Sequence, residues 1–171
     1  MKLLFICTHN RCRSVMAEAI ANHVAGHIIQ ARSAGSQPAG AIHPLTLRFL
    51  QERGIPTDTL KSQSWNDFTI FEPDVVVTVC DSAARETCPT WFGDSVQVCW
   101  ALPDPSKLHG SPDELRPHFF DLMDAIEQRI AKLAALVPAN LNPPELTQAL
   151  IDIHTQTAIA RLYEPVQRVR L

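Results

Sequence analysis

Near the amino terminus, Cys7-Thr8-His9-Asn10-Arg11-Cys12-Arg13-Ser14 sets a cysteine, five intervening residues, an arginine and a serine between an apolar run and an amphipathic stretch. A loop that wraps into a helix N-terminus turns several backbone N–H groups inward, and the helix dipole adds partial positive charge there. The natural guest of the segment Thr8 to Ser14 is therefore an oxyanion. The same field is expected to lower the pKa of Cys7 and keep it as the thiolate, while Arg13 supplies a planar two-pronged donor for two oxygens. Ser14 is placed to hydrogen-bond the Cys7 sulfur or to cap the following helix. Asn10 is expected to hold the loop in shape through its side-chain amide. His9 and Arg11 are expected to face solvent, and Cys12 to be structural. The bland alternative makes Cys7 a small core residue and Arg13 a surface charge; the strand–loop–helix context argues against it.

Three further cysteines lie downstream. Cys80 ends the most β-branched run of the chain, beside the strand that ends at Cys7, so the two sulfurs are expected to meet. Cys88 follows in Asp81-Ser82-Ala83-Ala84-Arg85-Glu86-Thr87-Cys88, a segment suited to a short helix. Eight helical residues rise about 12 Å, whereas a disulfide needs its Cα atoms within about 4.4–6.8 Å. Pairing of Cys80 with Cys88 therefore predicts a redox switch in which residues 81–87 rearrange. A zinc site built from Cys7, Cys12, Cys80 and Cys88 fits poorly, because structural zinc favours closely spaced pairs. Cys99, inside an apolar strand, is expected in the core. Asp104-Pro105 follows that strand, where the carboxyl is placed to give a proton to a leaving oxygen. An Asp-Pro pair is also a common turn.

The elements that must carry these residues alternate. Leu3–Ile6 reads as a strand and Ser14–Val24 as a helix; Ile28–Ala31 is a second strand and Pro44–Arg53 a second helix, stopped by Gly54. Asp74–Val79 and Val96–Trp100 are further strands. Pro112 to about Val137 reads as a long helix, broken or bent early by Pro117. The expectation is an α/β three-layer sandwich with a parallel sheet between helices, ligands binding at the carboxyl ends of the strands. A last stripe, Leu146, Ala149, Leu150, Ile153 and Ala160, predicts one more helix with Asn142 as its cap, packed on the core or serving a dimer or docking contact.

In 171 residues, 46% are hydrophobic and 19% charged, which suits one folded core. We expect a main domain over 1–139 and a helical extension over 140–171 that is not a separate domain. The formal charge of −3 gives no reason for a nucleic-acid partner. No apolar run reaches membrane-spanning length, and the opening Met1–Ile6 is too short for a secretory signal. Five cysteines without an export signal suggest reduced thiols in a cytoplasmic protein.

The segments FICTHNRCRSVMAEAI, VTVCDSAARETCP and WALPDPSK resemble the thioredoxin-coupled type of arsenate reductase, which shares its fold with low-molecular-weight protein tyrosine phosphatases. The resemblance covers about residues 2–137. It implies a four-stranded parallel sheet and attack of Cys7 on arsenate bound by the loop and Arg13, with Asp104 assisting loss of an oxygen. Cys80 would then attack the Cys7–arsenic adduct, releasing arsenite and leaving a Cys7–Cys80 disulfide. Cys88 would next attack Cys80, and the resulting disulfide would go to thioredoxin, or to glutaredoxin with glutathione or mycothiol as in related enzymes. No cofactor is required by this scheme. Some members also hold a structural potassium ion near residues matching Asn10 and Glu18, the remaining ligands being left open.

The chain departs from the pattern in a Cys80–Cys88 spacing one residue longer than in some relatives and in its tail. The rival reading is a phosphatase, since phosphate shares arsenate's shape and charge; a non-catalytic oxyanion or arsenite sensor is a third. Against hydrolysis stand the Cys80/Cys88 pair, valine rather than proline after Ser14, and no aromatic residue beside Asp104-Pro105.

Overall fold

The computed structural model describes residues 1–80 and 92–157. Four strands, β1 (Lys2–Cys7), β2 (Gln30–Gly35), β3 (Val75–Thr78) and β4 (Val96–Cys99), form one sheet in the order β2-β1-β3-β4. Every pairing is parallel, with Ile6 beside both Ala34 and Thr78, and Thr78 beside Cys99. Leu3 to Cys7 and Val75 to Thr78 are buried at successive positions, so the two central strands are covered on both faces. That is why they read as unbroken apolar runs. The second strand begins later than its apolar residues suggest: Ile28 precedes it, and pairing runs on through Ser33 to Gly35.

Cys99 is not in the core. β4 is an edge strand whose Val96 and Val98 are buried while Gln97 and Cys99 point to solvent. The sequence expectation failed because it weighed apolar content above the period-2 signal: Gln97 marks the solvent face, and Cys99, two residues on, shares it.

Helix α1 (Arg13–Ala25) packs against β1, β2 and the long helix α3 (Pro112–Leu136). Its residues from Ser14 to Ala21 are all buried, not only the expected stripe. Three alanines in that stretch, Ala17, Ala19 and Ala21, allow this close approach on several sides. Helix α2 (Pro44–Glu52) packs on α3 through Phe49 and Phe119, whose ring centroids lie 5.1 Å apart.

Helix α3 is not broken at Pro117. Ser111 and Glu114 form a reciprocal capping box, and the helix runs on through the proline, burying Leu115, Phe119, Leu122, Ile126, Ile130 and Leu133. Pro117 sits near the amino end, where the one backbone bond it forfeits is a small part of a helix fixed by that apolar face.

Helix α4 (Pro143–Gln156) starts at the expected cap, Asn142, which forms a second capping box with Glu145. Leu146, Leu150 and Ile153 are buried against β4 and α3, and the Trp100 indole N–H donates to the Leu150 carbonyl at 3.1 Å. Ala160 lies outside the described residues. Among the described residues no helix is long and apolar enough to cross a membrane.

Candidate functional site

The parallel strands bring their carboxyl ends to one edge of the sheet, and the loops leaving β1, β3 and β4 meet there. Cys7 is the last residue of β1, and the turn that follows is set by Asn10, whose φ of 44° lies in the left-handed region that asparagine tolerates better than most residues. The segment after β2 clamps the loop from outside. Gln37 N–H donates to Thr8 O, Ala39 N–H to His9 O and His43 N–H to Arg11 O, at 2.9, 2.9 and 3.0 Å. Gly35 permits this approach, since a Cβ there would lie 2.6 Å from the Thr8 oxygen.

Asn10 organises the interior of the loop, as its type suggested. Its Nδ2 donates to Ser14 Oγ at 2.9 Å and to Ser33 Oγ at 3.0 Å, and its Oδ1 accepts from Gln63 N–H at 2.8 Å. Ser33 in turn donates to Glu18 Oε2 at 2.5 Å. Burial raises the Glu18 carboxyl above its ordinary range, against the lowering effect of the Ser33 hydroxyl and the Arg32 charge. Ser33 and Gln63 were missed in the sequence because neither carries a motif; only the β1–β2 register and the turn before Trp65 bring them to the loop.

Cys7 Sγ lies 3.2 Å from the Asn10 backbone N, which donates to it, and 2.9 Å from Ser14 Oγ. An amide NH2 can only donate, so Ser14 Oγ accepts from Asn10 and keeps its own hydrogen for the sulfur. Ser14 is therefore a ligand of the sulfur and not a helix cap; α1 begins after Cys12 with no side-chain cap bond.

Cys7, Thr8, His9, Arg11, Cys12, Arg13, Asp104, Ser106 and Lys107 line a cavity of about 190 Å³. The Arg13 guanidinium braces it. Nη1 donates to Leu102 O at 3.0 Å and to Val79 O at 3.5 Å, and Nη2 pairs with Asp104 Oδ2 at 3.0 Å. These contacts leave the Nε hydrogen and one Nη2 hydrogen of the fork for a guest. Asp104 Oδ1 accepts from both the backbone N and the hydroxyl of Ser106, at 3.1 and 2.5 Å, which fixes the carboxyl at the cavity mouth. A larger cavity of about 500 Å³, between Glu72–Asp74, Phe92–Val96 and Leu141–Leu146, opens beside the amino ends of β3 and β4 and carries no cysteine among the described residues.

Cys80 is buried at the end of β3, and its sulfur lies 3.8 Å from Thr8 Oγ1 in the loop after Cys7. Neighbouring strands thus carry both sulfurs to the same end of the sheet. Cys88, with the expected rearranging segment 81–87, lies outside the described residues. Cys12 points into the protein, with Sγ 3.9 Å from Met16 Sδ; burial, aided by the Asp104 charge, pushes its thiol up to about 12. Such a thiol is inert, in line with a structural role. His9 is exposed, with Nδ1 3.1 Å from Gln37 O.

Arg11 departs from expectation: it is partly buried and lines the cavity. Its burial follows from the clamp of the 37–43 segment, which folds over the loop and is invisible to local sequence patterns. Beside it His43 caps α2, its Nδ1 accepting from Leu45 N–H; burial, and then the charge of Arg11, lower the imidazole pKa, opposed by Asp104.

The family model for low molecular weight phosphotyrosine protein phosphatase matches residues 2–143. The chain belongs to that family. Within it, an arsenate reductase of Halalkalibacterium halodurans is 32% identical over 132 residues, covering 77% of this chain and 94% of the relative. A glutaredoxin arsenate reductase of Synechocystis is 28% identical over 133 residues, covering 78% of this chain and 98% of the relative. The solved thioredoxin-dependent arsenate reductase of Corynebacterium glutamicum aligns with a TM-score of 0.61 at 31% identity, over 82% of this chain and 63% of its own. These relatives are enzymes, and the low molecular weight phosphatase fold they share is the four-stranded parallel α/β sheet found here. Helix α4 lies almost wholly beyond the family match.

Proposed function

We propose that the chain is a cytoplasmic enzyme that reduces arsenate to arsenite through Cys7, Cys80 and Cys88. One observation carries the reading: two thiols stand at the ends of adjacent parallel strands, Cys7 in an oxyanion-type loop and Cys80 beside Thr8 of that loop. Hydrolysis of a phosphoester has no use for the second. The cavity is also small, and among the described residues its walls carry no phenylalanine, tyrosine or tryptophan to flank an aryl ester.

In this mechanism the loop amides from Thr8 to Ser14 and the free hydrogens of Arg13 hold arsenate, and the Cys7 sulfur attacks arsenic. Asp104 gives a proton to the departing oxygen, which leaves as water. Cys80 then attacks the Cys7 sulfur. The sulfur–arsenic bond breaks, its electron pair stays on arsenic, and arsenite departs as a Cys7–Cys80 disulfide forms. Cys88 attacks Cys80, releasing Cys7 as a thiolate, and the Cys80–Cys88 disulfide is reduced by thioredoxin or by glutaredoxin with glutathione. The names of the Corynebacterium and Synechocystis relatives support both classes of donor.

The Asn10–Ser33–Glu18 cluster suits a structural potassium ion. The Glu18 carboxyl and the Ser33 hydroxyl offer oxygen ligands, and a buried carboxyl without a directly paired cation among the described residues is the charge such an ion would balance. Glu18 and Ser33 would hold it beside Asn10, whose Nδ2 donates to Ser33, stiffening the loop around Cys7.

The deciding experiment supplies arsenate with thioredoxin, with glutaredoxin plus glutathione, or with no reductant, and offers an aryl phosphate in parallel. The reading requires arsenite production that depends on a thiol donor. Phosphate release from the ester without arsenite production would establish the hydrolase instead, and neither product would leave an oxyanion sensor. Cys7→Ser abolishes even one turnover in this scheme, while Cys88→Ser permits the first attack and then stalls. Steady turnover by Cys88→Ser with thioredoxin alone would rule out the relay.

A further inference from the structure

The loop carries two arginines, and among the described residues only one has a side-chain partner. Arg13 is braced by Leu102, Val79 and Asp104. Arg11 lines the same cavity, its Nε is buried without a hydrogen-bond partner, and among the described residues it makes no ion pair. Its backbone is fixed by the bond from His43 N–H to its carbonyl, so the root of the side chain is held beside the cavity. A guanidinium donor withdrawn from water and left unmatched carries a free-energy cost. Among the described lining residues the cations Arg11, Arg13 and Lys107 also outnumber the one carboxylate, Asp104.

We propose that Arg11 is a second guanidinium for the bound oxyanion, an affinity-setting residue whose ligand is an inorganic tetrahedral anion such as arsenate or phosphate. The proposal rests on the oxyanion reading of the Cys7 loop and does not depend on the cysteine relay. Arg13 has only two hydrogens to spare, and Arg11 completes the set of donors around the anion. Its contact exists equally before and during the reaction, so it acts on binding and not on the chemical step.

The test uses inorganic phosphate as the probe. Arg11→Gln should weaken phosphate inhibition and raise the arsenate KM together, each by roughly tenfold or more, as expected for loss of a charge-assisted hydrogen bond. The kcat should stay within about twofold. Arg11→Lys, which keeps the charge and loses the fork, should recover part of the affinity. A second measurement needs no variant: phosphate should protect Arg11 of the wild-type protein from phenylglyoxal, mapped by mass spectrometry. Wild-type phosphate affinity in a folded Arg11→Gln protein, or equal modification of Arg11 with and without phosphate, would overturn the assignment. Protection of Arg11 in a protein that makes no arsenite would sink the reductase reading and leave this one standing. Arsenite production without protection would do the reverse.

Discussion

Replacing Ser14 with alanine tests how the loop prepares its nucleophile. The hydroxyl is buried, 2.9 Å from Cys7 Sγ, and its hydrogen is directed at the sulfur because Asn10 Nδ2 occupies it as an acceptor. A hydrogen bond to a charged group contributes about 1.5–3 kcal/mol, so its loss should cost the reaction of the Cys7 sulfur about 10- to 150-fold. A sulfur relieved of that bond is also intrinsically more nucleophilic, which returns about half of that effect on a logarithmic scale. The net expectation is a fall of about 3- to 12-fold in alkylation of Cys7. Asn10 N–H still donates to the sulfur in the variant, so the loss is graded and not total. Iodoacetamide labelling near neutral pH, quantified at the Cys7 peptide in a Cys80→Ser background, reads the rate directly. An unchanged rate in a folded Ser14→Ala protein would mean that the hydroxyl does not serve the sulfur, and the electrostatic account of this loop would be wrong.

Asp104→Asn should slow single-turnover arsenite formation by about a hundredfold to ten-thousandfold while the protein still binds phosphate; a rate close to wild type would remove Asp104 from the proton step. Leu150→Ala, at a position fully buried against the β4 side of the sheet, should cost about 2–5 kcal/mol in urea unfolding, and a cost well below this would show that α4 is only loosely attached. Burial, and then the charge of Arg129, hold the His154 imidazole below its ordinary value of 6.5. The unfolded chain therefore binds this proton more readily, so the stability His154 contributes is full above 6.5 and declines as pH falls through its lower folded value. Thermal unfolding should show Tm dropping between about pH 7 and pH 5, less steeply in His154→Gln; parallel curves for the two proteins would refute the linkage.

Much of the site was legible from residue type and spacing. Cys7, Arg13, Ser14 and Asp104 gather because strand–loop–helix alternation dictates a parallel sheet, and a parallel sheet collects loops at one edge. Asn142 was readable as a helix start for the same reason, since its box with Glu145 is local. Most of what escaped was set by contacts distant in sequence. Cys99 is an exception: it looked buried when its strand was judged on apolar content alone, although Gln97 on the same face signalled solvent. Arg11 looked solvent-facing because charge predicts exposure until another segment, here residues 37–43, folds across it. Ser33 and Gln63 gave no signal at all, since their tasks exist only once β2 lies beside β1.

The indole of Trp100 ties the end of β4 to the middle of α4, and the stretch it begins leads directly to Asp104. The start of the segment that leads to Asp104 is therefore tethered to a helix almost wholly outside the family match, whereas the Cys7 loop is braced by β2 and its neighbours. Cutting the chain at residue 142 would strip the cover from Trp100 and leave the approach to Asp104 anchored by Arg13 and Ser106. The carboxy-terminal helix is thus a buttress on the side of the sheet from which the Asp104 loop departs.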